Sequence, residues 1–194
     1  MDFESYIQEL KSYKQIDKHK RMIRFAAMLT EILELKGIKN PIVVGGLSIE
    51  IYTLNNYTTY DIDMVFEGRD VANDILIKLG FEKMSKDWFN ANLGISVEVP
   101  DDFLKGSYEK VIKVPVGERY INVIGLEDIF VHRLQSAVAQ NNATDYEWSN
   151  RLLYTYFEEV DIEYIKGQLH FPIEKNTLKK MIDEIQNAIN SQKI

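Results

Sequence analysis

A chain of 194 residues with 45% apolar side chains has material for one compact domain, or for a catalytic core with a helical extension. Its formal net charge of -7 argues against a broadly basic nucleic-acid surface and leaves room only for a local basic cleft. The lack of cysteine excludes disulfides, thiolate metal sites and cysteine catalysis; with no apolar signal core at Met1-Asp2-Phe3-Glu4 and no run near the roughly 20 apolar residues of a membrane span, the expectation is a cytoplasmic protein.

In chain order, residues 3–36 read as one helix: Ile23, Ala26, Ala27, Thr30, Ile32 and Leu33 recur near a 3.6-residue period, and Gly37 closes the run. Its basic stretch, Lys11, Lys14, Lys18, Lys20, Arg21 and Arg24, reads as a solvated helix face ahead of an RNA contact. After the Asn40-Pro41 turn, Ile42-Val43-Val44 reads as a buried strand, Gly45-Gly46 as a bend and Leu47–Leu54 as a short helix. Tyr60–Phe66 is a second strand, and Asp70–Leu79 a helix capped by Asp70 and closed by Gly80. Strands are expected at Trp88–Ala91, Ile95–Val99, Lys110–Pro115 and Arg119–Val123, in two hairpins. Helices are expected at 126–141, 144–157, 161–169 and 174–191. The organisation predicted is a helical segment over 1–36, an α/β core over 37–125 and a helical region over 126–194. The expected class is therefore α/β (α+β), a small mixed sheet flanked by N- and C-terminal helices.

The chemistry lies in the acids. Asp61 and Asp63 stand two apart in a strand, so both carboxylates share a face while Ile62 and Met64 point to the core. Adjacent carboxylates repel, and Mg²⁺ or Mn²⁺ is the natural partner for such oxygen donors. The plain alternative is a solvent-facing strand with two incidental acids, although Asp is disfavoured in strands. Glu98, between Val97 and Val99, puts a third acid in an apolar strand. If that strand lies beside Asp61, the three acids suit two-metal phosphoryl or nucleotidyl transfer; otherwise Glu98 is an edge charge against aggregation. Gly45-Gly46 lets the backbone approach a phosphate at a helix start, with Ser48 as a further donor; alone, it is equally a tight turn.

Together, Val44-Gly45-Gly46, Tyr60-Asp61-Ile62-Asp63-Met64 and Val97-Glu98-Val99 resemble the core of the nucleotidyltransferase superfamily of the DNA polymerase beta type. The spacing from Gly46 to Asp61 is slightly longer than usual there. The chain is more closely similar to bacterial nucleotidyltransferases that include the AbiEii-type toxins, which often carry Arg-x-Thr-x-Asp-x-Asp. Here Thr59-Tyr60-Asp61-Ile62-Asp63 matches, and Tyr57 stands where the Arg would be. A hairpin follows, then Gly125-Leu126-Glu127-Asp128-Ile129, with Arg133 where Lys is common and Asp145 downstream. The likeness runs roughly from Ile42 to Leu153.

The resemblance implies transfer of a nucleoside monophosphate from an NTP such as ATP to an acceptor hydroxyl, on RNA, protein or a small molecule. It implies Asp61, Asp63 and Glu98 as catalytic, metal-holding residues, and Gly45, Gly46, Ser48, Thr59 and Arg133 around the nucleotide. It also raises a toxin role with an antitoxin partner. A second expectation is a catalytically weakened member that binds nucleotide or a protein; a third is a structural or antitoxin-like role. No zinc spacing among His19, His132 and His170, no P-loop and no nucleophile elbow is present. Tyr146, Trp148, Tyr154, Tyr156 and Phe157 read as core rather than a base-stacking platform.

Overall fold

The computed structural model describes residues 3–54 and 56–192, and the chain divides into two compact units, Met1–Gly125 and Leu126–Ile194. The first unit carries, in order, α1 (Phe3–Tyr13), α2 (Lys18–Leu35), β1 (Ile42–Val44), α3 (Gly45–Tyr52), β2 (Asp61–Val65), α4 (Arg69–Lys78), β3 (Glu82–Met84), β4 (Asp87–Asn90) and β5 (Ile95–Glu98). A single 3₁₀ turn (Tyr108–Lys110) then leads to β6 (Ile112–Val116) and β7 (Arg119–Val123). One mixed sheet of seven strands runs β3-β4-β5-β2-β1-β7-β6. The β2–β5 and β1–β7 pairs are parallel and the rest antiparallel.

The core forms where α2 covers the sheet. Five consecutive residues, Phe25 to Leu29, are buried, so this helix is apolar most of the way round, as a central helix must be. Phe25 stacks on Phe81 with ring centroids 4.8 Å apart. Beneath the acids, Ile62 and Met64 are fully buried, with Ile95 and Val97 beside them on β5. Each such side chain contributes roughly 1.5–3 kcal/mol on burial.

Several elements depart from the sequence expectations, among them the strand expected from Lys110, which begins at Ile112 after the 3₁₀ turn. The segment 3–36 is two helices, because Asp17 caps α2 by accepting from the backbone N–H groups of His19 and Lys20. Arg21 then donates to the carbonyls of Tyr13, Lys14 and Ile16, freed where α1 ends, and to that of Leu93 in the turn between β4 and β5. That arginine of the basic stretch is structural. Helix α4 begins at Arg69 with Gly68 in the cap position, and Asp70 lies inside the first turn rather than capping it. Strand β3 extends the sheet; its residues are all exposed, so it offers no apolar alternation to read.

The second unit is helical: α5 (Leu126–Gln140), α6 (Ala143–Thr155), α7 (Ile162–Gln168) and α8 (Pro172–Gln192). Its core joins Phe130, Val131 and Leu134 of α5 to Leu153, Ile165, Leu169, Leu178, Met181 and Ile185. Of the aromatics expected in the core, Tyr146 and Phe157 are partly buried against that cluster, whereas Tyr154 is exposed. Asn142 caps α6, and Glu174 accepts from the N–H groups of His170 and Phe171 at the start of α8. No helix among the described residues is long and apolar enough to cross a membrane.

Candidate functional site

Strand register places the acids. In β2, Asp63 lies level with Glu98 of the parallel strand β5 and with Val44 of the antiparallel strand β1; Asp61 lies level with Ser96. Alternation sends Asp61 and Asp63 to one face, each partly exposed, above the buried Ile62 and Met64. One carboxylate oxygen from each of Asp61, Asp63 and Glu98 falls within 4.8 Å of the others.

Because β1 runs directly into α3, the Gly45-Gly46 bend sits against this cluster. Gly45 has φ +60°, and a Cβ there would lie 1.9 Å from Asp63 Oδ2. A Cβ on Gly46 would lie 2.5 Å from Thr59 Oγ1 and 3.2 Å from the Tyr57 ring. Both positions therefore need glycine for Asp63 and Thr59 to stand where they do. The Thr59 hydroxyl donates to Asp61 Oδ1 at 2.6 Å and fixes that carboxylate's orientation. The helix starts at Gly45 itself, two residues before the sequence expectation, so the unpaired N–H groups of its first turn open beside Asp63.

The Ser48 and Arg133 side chains, expected around the nucleotide, each have a partner within the protein. The Ser48 hydroxyl is fully buried and donates to the Gly45 carbonyl at 2.7 Å, bracing the bend from inside. Arg133 belongs to the second unit, where its guanidinium pairs with Asp145 at 2.7 Å; Ser136 and Asn142 also donate to that buried carboxylate.

Two lysines unforeseen from the sequence flank the acids. Lys18, at the start of α2, donates to the Thr59 carbonyl at 3.0 Å and lies 3.5 Å from the Tyr60 ring centre. Partial burial pulls its ammonium pKa below the ordinary value, against the attraction of Glu50 and Asp61. Lys86, in the turn before β4, pairs with Glu98 Oε1. Position within the basic stretch was the only sequence signal for Lys18, and Lys86 had none.

The donor set fits a hard divalent cation. All three groups are carboxylates, the chemistry that Mg²⁺ and Mn²⁺ prefer, and glycine at position 45 leaves room for the Asp63 carboxylate. Asp61, Asp63 and Glu98 are the residues that would hold it.

No protein-family model and no curated protein sequence matches the chain. Solved structures do. The crystal structure of ANT(2'')-Ia in complex with adenylyl-2''-tobramycin matches over 78% of this chain and 94% of that one, at 13% identity and a TM-score of 0.51. The fold is nucleotidyltransferase-like. The solution structure of the same antibiotic-resistance factor matches over 84% of this chain and 94% of that one, at 13% identity and a TM-score of 0.49. At this identity the likeness is one of fold.

Proposed function

We propose that the protein is a metal-dependent nucleotidyltransferase that moves the nucleoside monophosphate of an NTP onto a hydroxyl of a small-molecule acceptor. The observation that carries this reading is the convergence of Asp61, Asp63 and Glu98 beside the Gly45-Gly46 bend in a nucleotidyltransferase-like fold. Asp61, Asp63 and Glu98 would hold Mg²⁺ or Mn²⁺, which when bound would neutralise charge at the triphosphate and acidify the acceptor hydroxyl. The chain's own residues supply position. Thr59 holds Asp61 to one orientation, and the free N–H groups of the α3 start receive phosphate oxygens. In the transfer, the acceptor oxygen bonds to the α-phosphorus and the bond from that phosphorus to the β-phosphate oxygen breaks. Pyrophosphate leaves with the electron pair, and the acceptor proton passes to Glu98 or to water. Preorganised charge and alignment carry most of the acceleration in such displacements.

The small-molecule acceptor is favoured because the solved neighbour of like fold was captured with adenylyl-2''-tobramycin. A toxin role with an antitoxin partner, implied by the AbiEii-type resemblance, would instead require RNA or protein as acceptor. A second reading, nucleotide binding without turnover, rests on Tyr57, which replaces the relatives' Arg and reaches the Gly46 bend.

The test is incubation with each α-³²P-labelled NTP and Mg²⁺, offered tobramycin, total RNA or a protein extract, beside Asp63→Ala. Label on the small molecule, reduced at least about 100-fold in the variant, is the expected result. Label on RNA or protein moves the acceptor class. Mg²⁺-dependent NTP binding without transfer moves the reading to the second one, and absence of such binding overturns both.

A further inference from the structure

Glu98 does not stand alone in the acid cluster: Lys86 Nζ pairs with its Oε1. We propose that Lys86 is a positioning residue of the site, a resident counter-ion that holds Glu98 in place and gives way when a divalent ion binds. This rests on the metal-site reading above.

The pair is built from the backbone. Arg69, in the first turn of α4, donates through Nη2 to the Lys86 carbonyl and through Nη1 to the Val99 carbonyl at 2.5 Å. One guanidinium thus ties the turn that carries Lys86 to the residue that follows Glu98. The guanidinium lies 5.1 Å from the ring centre of Trp88, an indole that is fully buried. The anchor is therefore stiff, whereas the side chain it presents is free to move: Lys86 is 67% exposed and Glu98 23%. The result is an ammonium on a four-carbon tether, placed on the outer acid of the cluster.

Electrostatics gives the tether its purpose. Three carboxylates within 4.8 Å repel, and a neighbouring positive charge offsets that repulsion while no metal is bound. Lys86 is an exposed ammonium paired with one carboxylate oxygen, so it leaves Glu98 by displacement. A divalent ion among all three acids outcompetes a single charge held by one of them. The Trp88–Val97 pairing sets Asp87 beside Glu98 one step further along, so a further carboxylate lies on the neighbouring strand.

A lysine that competes with the ion weakens metal binding, so its removal should strengthen it. The test is Mn²⁺ binding to the full chain without nucleotide, read by electron paramagnetic resonance of free Mn²⁺. Wild type, Lys86→Met, Lys86→Arg and Asp63→Asn are compared; the exposure of Lys86 makes both its variants compatible with the fold. Lys86→Met is expected to bind Mn²⁺ about fivefold tighter, the scale of an exposed ion pair. Lys86→Arg should restore wild-type affinity, and Asp63→Asn should lose most binding. Unchanged or weaker binding in Lys86→Met, or tightening in Lys86→Arg as well, overturns the counter-ion role and leaves the metal site standing. Failure of both wild type and Lys86→Met to bind Mn²⁺ overturns the metal site and this inference together.

Discussion

Adding one methyl group at position 45 places a carbon where the Asp63 carboxylate now lies. The new Cβ would stand 1.9 Å from Oδ2, 2.7 Å from Cγ and 3.0 Å from Cβ of Asp63. The Asp63 backbone cannot yield, because β2 is paired on both sides, level with Val44 and Glu98. The side chain must therefore swing away from Asp61 and Glu98. Gly45→Ala also carries a backbone cost: φ is +60°, a region worth roughly 1–2 kcal/mol of strain to a residue with a Cβ. Gly117→Ala is the matched control, since Gly117 has φ +64° and nothing within 4 Å of an added Cβ. It pays the strain and nothing else. Both variants should lose a few degrees of thermal stability by circular dichroism. Gly45→Ala alone should lose Mn²⁺ affinity, at least about tenfold, and nucleotidyl transfer, at least about 100-fold. If Gly45→Ala binds Mn²⁺ as tightly as Gly117→Ala, the bend does not shape the acid cluster and the reasoning fails.

Other expectations follow from single contacts. Thr59→Val removes the hydroxyl that orients Asp61 and should cost about 10–100-fold in transfer with little change in melting temperature; an unaltered rate would mean that this hydrogen bond is incidental. Arg119 pairs with Glu9 and Glu31, and its hydrogen bond holds the Glu9 carboxyl below the usual carboxylate range. That contribution is in place above the ordinary carboxylate pKa of about 4.3 and is lost as pH falls through the depressed folded value. The stability gap between wild type and Arg119→Met should therefore narrow between pH 6 and pH 3 in thermal melts, and a constant gap would refute the assignment. In the second unit, Leu134→Ala empties a fully buried position and should cost about 2–5 kcal/mol, read by urea unfolding of the helical signal.

The parts of the chain that were readable in advance are those whose signal is local. Alternation across Tyr60–Val65 put Asp61 and Asp63 on one face, and Ile62 and Met64 are buried beneath them. The helices of the second unit carry their period in their own residues. What was hidden depends on partners far along the chain. The break before α2 is held by Arg21, whose reach to the Leu93 carbonyl spans 72 positions. Strand β3, Glu82-Lys83-Met84, is a fully exposed edge, so no core imposes alternation on it. Ser48 reads as a phosphate donor in the sequence; its hydroxyl has a partner three residues back, the Gly45 carbonyl, which the sequence did not announce. A hydroxyl in a first helical turn satisfies the nearest carbonyl before it is available to a ligand.

The same distance argument separates the acids from their counter-charges. Carboxylates that act together are placed by strand pairing, and strand pairing leaves a pattern in sequence. The cations beside them come from a helix start 41 residues before Thr59 and a turn 12 residues before Glu98, neither of which has any reason to repeat. Their attachments then divide their roles. Lys18 is tied to a backbone carbonyl and leans on the Tyr60 ring, so its ammonium is held in place on the Asp61 side. Lys86 is exposed and bonded to the carboxylate that an ion would claim. On the proposed reading, the first lysine is a fixed neighbour of the site and the second is exchanged for the ion.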